Sequence, residues 1–432
     1  MSTPHSESQK VDFLGCGVDR HGRVFELDGL IYRALTPAGK RIVDHIIASG
    51  SSQHLIDSGL IPFELADISL DDYCAVLRHK KLNLISFCQE WPFVMLKNAA
   101  LLLCRLTKEL LAIGLATKDA HPWNIAFDFT RPIFLDFGSI VFLDDFSIDA
   151  WIAEFKKDFY VPMWLAAHKH CKMARWSLKE HPIGPIKRTL CQKPIFNKAL
   201  FTFNRLAAKA TVQGFGYFLD RLIEHLECLP VSPPKGEWSD YDQAAWKAKL
   251  VENIVDQLEA KTLIDLAANK GTYSMVAADH GLSVVAIDLD EFSVEHIYRE
   301  AHRLNKRILP LVMDVLWPTP PFDIGLFHES SYKRLRCDIG IALAIVHHLV
   351  FKGGADFRTI AAIISRYVHR YALVEFIPPD DMYISKWIRG REAKYEWYTE
   401  HRFVNTFMQY FQSFDVWHSP FDTRKLYLFE RE

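Results

Sequence analysis

The chain has 432 residues, 49% of them hydrophobic, and a formal net charge of −2. It is too long for one ordinary domain and too apolar to be disordered. The near-neutral balance excludes a generic binder of nucleic acid or other polyanions. In chain order, residues 1–10 (MSTPHSESQK) form a polar tail without a signal-peptide core. Residues 15–35 (GCGVDRHGRVFELDGLIYRAL) predict two strands around an Asp28-Gly29 turn, with Gly15, Gly17 and Gly22 read as turn glycines and not as a phosphate-covering loop. Pro37 opens a helical region that residues 58–62 break, and strand-like sequence follows at 73–77 and 82–88. Beyond Glu90-Trp91-Pro92, residues 95–116 are apolar but interrupted by Lys97, Arg105, Lys108 and Glu109, which predicts an amphipathic helix and no transmembrane segment.

Residues 118–139 (KDAHPWNIAFDFTRPIFLDFGS) place Asp119 five residues before Asn124, with Asp136-Phe137-Gly138 after a strand-like run. This pattern resembles the catalytic and magnesium loops of protein-kinase-like and aminoglycoside-phosphotransferase-like folds. The resemblance implies that Asp119 orients an acceptor hydroxyl, while Asn124 and Asp136 hold magnesium against ATP. The departures are Arg33 in LIYRAL where a lysine is expected and Thr117 where a histidine is usual. The favoured expectation is a kinase-like scaffold, with Mg-ATP binding as the alternative.

Residues 148–229 are helical and aromatic, with cations at Lys156, Lys157, Lys169, Lys172, Arg175, Lys187 and Arg188. These read as solvated helix faces. The alternative is a groove for an anionic or glycan ligand, with Trp151, Tyr160, Trp164 and Trp176 stacking on its rings. Residues 229–238 (LPVSPPKGEW) mark a linker. The expected domains are therefore 1–235, α+β and kinase-like with a helical extension, and 236–432. Eight cysteines without a C-x-x-C pair fit reduced thiols in a cytoplasm, with no metal site expected.

The second domain is organised around residues 261–290. A strand ends in Asp265, small residues and Gly271 follow, and after a helix a second strand ends at Asp288. This is a βαβ unit, in which ligands lie beyond the carboxyl ends of the strands and an acid closing the second strand accepts from both ribose hydroxyls. The stretch resembles motif I of class I S-adenosylmethionine (SAM)-dependent methyltransferases, although Ala267 and Asn269 replace two of the glycines in D-x-G-x-G-x-G. The resemblance implies a Rossmann-like α/β fold that binds SAM through Asp265, Ala267, Asn269, Gly271, Asp288, Leu289, Asp314, Val315 and Ala342, with Asp314 at the adenine. A third strand is expected in ILPLVMDV and a fourth over 338–349. His347 and His348 come where motif IV meets the acceptor, a fifth strand carries Glu375, and FDVWHS and KLYLFE close the sheet as a hairpin. His347 or His348 is the candidate base, Glu375 the reserve. A helical insertion over 382–414, with Lys386, Trp387, Arg389, Arg391 and Glu392, is expected to cap the acceptor.

The succession SGLIPFE, QEWPF, LKNAALLLCRLTKELLAIGLATKDAHPWNIAF, LPLVMD, ALAIVHHL, VEFIPPDD and RKLYLF resembles bacterial class I methyltransferases related to the nodulation-associated family. Family members usually carry Lys-Asp-Ala-Ser-(Pro or Ala)-Tyr-Asn where this chain has Lys-Asp-Ala-His-Pro-Trp-Asn. The resemblance implies cytoplasmic methyl transfer from SAM to a hydroxyl of a glycan precursor. The alternatives are a small-metabolite or protein acceptor, a bifunctional or ATP-binding phosphotransferase, and a non-catalytic SAM-binding recognition protein.

Overall fold

The computed structural model describes residues 11–14, 19–179, 201–208, 214–236, 245–322 and 328–431. Gly15, Gly17, Lys187 and Arg188 lie outside these. The chain forms two compact units, Met1–Pro233 and Pro234–Glu432.

The N-terminal unit begins with an antiparallel sheet of β1 (Phe13–Leu14), β2 (Gly22–Leu27), β3 (Leu30–Leu35), β4 (Phe63–Ala66) and β5 (Ala75–His79), ordered β1-β2-β3-β5-β4. Asp28 (φ 51°) and Gly29 (φ 76°) both adopt the left-handed conformation that a tight hairpin between β2 and β3 requires. Helix α1 (Pro37–Ala48) starts at Thr36, whose hydroxyl accepts from the Gly39 amide, and α2 (Ser52–Asp57) follows. The expected strand over 82–88 does not form. The partner of β5 is Phe63–Ala66 instead, and residues 82–88 bury Leu84, Phe87 and Cys88 as an irregular connection.

Helix α3 (Phe93–Leu111) then runs through the core, with thirteen of its nineteen residues buried, so it is a central helix and not a surface one. Its polar interruptions have partners of their own: Arg105 pairs with Glu227 and Lys108 with Asp220, and Lys97 donates to the Glu227 carbonyl. Four short strands follow: β6 (Leu115–Thr117) pairs with β9 (Ile140–Phe142), and β7 (Ile125–Asp128) with β8 (Arg131–Phe134). A sheet of this order, two helices between its third and fourth strands, a long helix and two small hairpins make this unit kinase-like.

Helices α4 (Ile148–Phe155), α5 (Val161–Ala167), α6 (Cys171–Leu178) and α7 (Phe215–Cys228) extend the unit. Trp151 and Tyr160 are fully buried, and Trp151 packs on Phe155 and Phe215 at 5.0 and 5.3 Å. Trp164 is buried as well and stacks on His168. These aromatics are core, which tells against the alternative in which Trp151, Tyr160 and Trp164 stack on a ligand; Trp176 alone of the four is exposed.

The C-terminal unit opens with α8 (Ala245–Gln257) and contains one seven-stranded sheet. Its strands are β10 (Thr262–Leu266), β11 (Ser283–Asp288), β12 (Ile308–Val312), β13 (Cys337–Ala342), β14 (Val368–Phe376), β15 (Ser413–His418) and β16 (Lys425–Glu430), ordered β12-β11-β10-β13-β14-β16-β15. The first five are parallel and β16 alone runs antiparallel between β14 and β15. Connecting helices are α9 (Thr272–Asp279), α10 (Glu291–Arg303), α11 (Val346–Phe351), α12 (Phe357–Tyr367), α13 (Met382–Ile388) and α14 (Glu400–Phe407). The parallel strands read as unbroken apolar runs because helices cover both sides of the sheet. The fourth strand stops at Ala342, earlier than expected. Ala344 turns the chain at φ 53°, which places His347 and His348 in the first turn of α11.

Candidate active site

Because β10 to β14 are parallel, the residues ending them meet along one edge of the sheet. The strand order reverses between β10 and β13, so a crevice opens there. The turn after β10 carries the decisive local geometry. Ala267 (φ 82°), Asn269 (φ 47°) and Gly271 (φ 79°) are all left-handed, although only one of them is glycine. The amides of Ala267 and Ala268 both donate to the Ile287 carbonyl, at 2.8 and 2.9 Å, which holds the strained turn against the end of β11. Gly271 has a second constraint, since a Cβ there would stand 2.8 Å from Cγ1 of Ile297.

Seven strands in this order, with the sixth in space antiparallel and a left-handed turn opening the first helix, define a known architecture. This is the class I methyltransferase fold. The chain is similar to nodulation protein NoeA of Rhizobium meliloti (strain 1021), 27% identical over 96% of this chain and 94% of that one. Among solved structures, one of WbdD, described as a bifunctional kinase-methyltransferase, matches with 16% identity and a TM-score of 0.33 over 45% of this chain and 41% of that one. The N-methyltransferase NodS from Bradyrhizobium japonicum WM9 matches with 10% identity and a TM-score of 0.32 over 43% and 94%. No family model matches. The chain is thus similar to a nodulation-associated protein along nearly its whole length, and its C-terminal unit has the class I methyltransferase fold behind a kinase-like unit.

In the methyltransferase domain, Asp265 is buried beneath the turn and accepts from the Ser274 hydroxyl at 2.7 Å. Burial raises its pKa to about 7, against the pull of Ser274. Asp288 ends β11. One of its oxygens accepts from the Asn269 amide and the other from the Asp290 amide, each at 2.8 Å, while burial pushes its pKa upward. Leu289 beside it is 65% exposed. Asp314 follows β12 by two residues and accepts from the Leu316 amide at 2.8 Å; Val315 and Ala342 are buried. The expected cofactor residues are thus gathered along one edge, with Asp288 and Asp314 after adjacent strands.

On the acceptor side, His347 is 8% exposed and its Nδ1 has no hydrogen-bond partner. Burial, then His348, Arg424, Lys247 and Lys352, drive its pKa down to about 2. The expectation of a histidine titrating near neutral pH therefore does not describe His347, which is a neutral imidazole. Trp387 of α13 packs on His347 and His348 at 5.5 and 5.1 Å. It is the residue of the insertion that covers the pair. Lys386 lies over the Tyr383 ring, Arg389 is exposed, Arg391 donates to the Trp387 carbonyl, and Glu392 accepts from the Gly390 amide.

Glu375 is fully buried. One oxygen accepts from the Lys247 ammonium at 2.6 Å and the other from the Ala344 amide at 2.7 Å. With both oxygens engaged, it holds the turn ahead of the histidines. Lys247, on the lead-in helix α8, was missed by sequence reasoning. Its only signal there was a lysine within an otherwise half-apolar helix.

In the kinase-like unit, the structure places Arg33 on β3 at 3.0 Å from Asp19 and 3.6 Å from Asp136. The Asp19 carboxylate lies so close to Gly138 that a Cβ there would fall 2.1 Å from it. Burial raises the pKa of Asp136 in spite of Arg33. The Asp119 amide donates to the Ser139 hydroxyl at 3.0 Å, and Asn124 is buried with Nδ2 unpartnered. A magnesium ion on Asp136 has to compete with a guanidinium, and a phosphate on Arg33 has to displace Asp19. The charge of Asp119 reaches Asp136 and the Leu135 amide donates to the Asn124 carbonyl, yet with Arg33 and Asp19 beside it this set does not fit Mg-ATP as a working phosphotransferase does.

Proposed function

We propose that this chain transfers a methyl group from SAM to an oxygen of a saccharide-containing precursor in the cytoplasm. Two carboxylates, Asp288 and Asp314, after adjacent strands beside a turn left-handed at three positions, carry the donor reading. The Asn269 amide, which an incoming pyrophosphate would need, is already taken by the Asp288 carboxylate. A negatively lined edge disfavours a dinucleotide and favours a cationic sulfonium. None of the six described cysteines is in a disulfide, which suits a reducing compartment.

SAM, when bound, supplies an activated methyl whose transfer leaves a neutral thioether. The chain's own residues would hold it, Asp288 at the ribose, Asp314 at the adenine, and the turn through Ala267, Asn269 and Gly271 leaving room for backbone at the methionine end. Methyl transfer asks mainly for in-line placement of donor and acceptor. His347, neutral and unpartnered at Nδ1, would accept a hydrogen bond from an acceptor hydroxyl and take its proton as the methyl is added, passing it on to solvent. The cations that hold it neutral, among them Lys247, Lys352 and Arg424, favour an acceptor oxygen that carries or develops negative charge.

Calorimetry with SAM and S-adenosylhomocysteine tests the donor. Asp288→Ala is expected to weaken binding by about 10–100-fold, as the loss of charge-assisted hydrogen bonds predicts. Unaltered affinity would remove the ribose assignment, and strong NAD binding would overturn the donor. Methyl-labelled SAM incubated with fractionated extract of the native cells tests the acceptor, with label expected in carbohydrate; label confined to RNA or protein would sink that part.

A further inference from the structure

We infer that Lys247 is a positioning residue for methyl transfer, acting through Glu375 on the turn that carries His347 and His348. The inference rests on the methyltransferase reading and goes beyond it.

A non-glycine residue in the left-handed region persists only where its surroundings fix it. Ala344, at φ 53°, is such a residue, and it lies between the end of β13 and the helix bearing the histidines. Its amide donates to Glu375 at 2.7 Å. That bond is strengthened by the charge on the acceptor, and a neutral carbonyl in its place would still make it. Glu375 is buried completely on β14, where an isolated carboxylate is very costly. The counter-charge is Lys247, 2.6 Å away and itself 4% exposed, brought from a helix 128 residues earlier in the chain.

A buried ion pair of this kind is a poor way to gain stability, since apolar residues of similar volume do as well or better. Its value lies in placing groups. The pair links α8 to β14, and β14 to the Ala344 turn, so the lead-in helix and the acceptor loop are set by one bond chain. The same ammonium adds to the positive field that keeps His347 neutral. If Lys247 is removed, Glu375 either remains as an unpaired buried carboxylate, whose cost the Ala344 turn must bear by shifting, or takes up a proton and still accepts from Ala344 through its neutral carbonyl.

Three variants of the full chain test this: Lys247→Met, Glu375→Gln, and the two together. Lys247→Met is expected to lower the label-transfer rate from methyl-labelled SAM, in whichever extract fraction wild type labels, by at least tenfold. The loss should deepen as pH rises, because a carboxyl without its cation is tolerated protonated and not ionised. The double variant leaves a neutral amide whose oxygen accepts from Ala344, so it should recover most of the rate and show no such pH dependence. Histidine ring signals in NMR should move in Lys247→Met and return in the double variant, a readout that needs no acceptor. Calorimetry with S-adenosylhomocysteine on the same samples separates the two levels of argument, since a wild type that binds no donor defeats the methyltransferase reading itself. A Lys247→Met rate and pH profile matching wild type would overturn the inference. So would a double variant that melts like wild type and binds S-adenosylhomocysteine but remains as slow, and as shifted at its histidines, as the single one.

Discussion

The turn after β10 offers a matched pair of substitutions with opposite expected signs. Ala267 sits at φ 82°, where an L-residue with a Cβ is worse off by about 1–2 kcal/mol. Ala267→Gly removes that strain but adds the larger backbone entropy of glycine, about 0.5–1 kcal/mol. The net expectation is a stabilisation of about 0.5–1 kcal/mol. For a unit of roughly 200 residues this raises Tm by about 1–3 °C. Gly271→Ala runs the other way. It introduces the same left-handed strain at φ 79° and drives a methyl to 2.8 Å from Ile297, which overpacking data put at about 1–3 kcal/mol more. A destabilisation of about 2–4 kcal/mol and a fall of about 5–10 °C follow. Scanning calorimetry of the full chain is the assay, with the transition of the C-terminal unit identified as the one that rises when S-adenosylhomocysteine is added. The reasoning is refuted if Ala267→Gly lowers Tm, or if Gly271→Ala leaves it unchanged, because the turn would then not hold the conformation from which both numbers are worked.

Asp265 is an acid whose folded pKa, about 7, lies above its unfolded value of about 3.9, so its contribution to stability is fully present below pH 4 and is lost as pH rises to 7. Urea midpoints measured between pH 4 and 7 should therefore be flatter for Asp265→Asn than for wild type by a few kcal/mol across that window; parallel profiles would exclude the buried-acid account. With His347 held near a pKa of about 2, methyl transfer should show no step near pH 6.5 from this residue, and a step that disappears in His347→Ala would contradict its neutral state. In the kinase-like unit, Asp19→Ala leaves the buried Arg33 short of a counter-charge and is expected to cost about 2 kcal/mol in denaturant unfolding. Calorimetry with Mg-ATP should detect no binding to wild type; binding that is lost in Asp136→Ala would restore the phosphotransferase reading.

The sequence by itself determined the Rossmann-like core of the C-terminal unit because its signals are local. A strand, a turn of small residues and a second strand ending in an acid lie within thirty residues, so the strands carrying Asp265 and Asp288 and the turn at Gly271 were legible from spacing alone. Kinase-like order was legible for the same reason, each loop carrying its own short pattern. Only tertiary structure decided what depends on residues far apart in the chain. The strand partner of β5 was settled by pairing and not by β-propensity. Trp151 and Tyr160 became core because α7 closes over them. The chemistry of His347 was set by burial and by cations from α8, α11 and the β15–β16 connection, none of which a histidine pair in a sequence announces. Glu375 and Lys247 likewise acquired their role from a contact across 128 residues, where low dielectric makes each charge depend on the other.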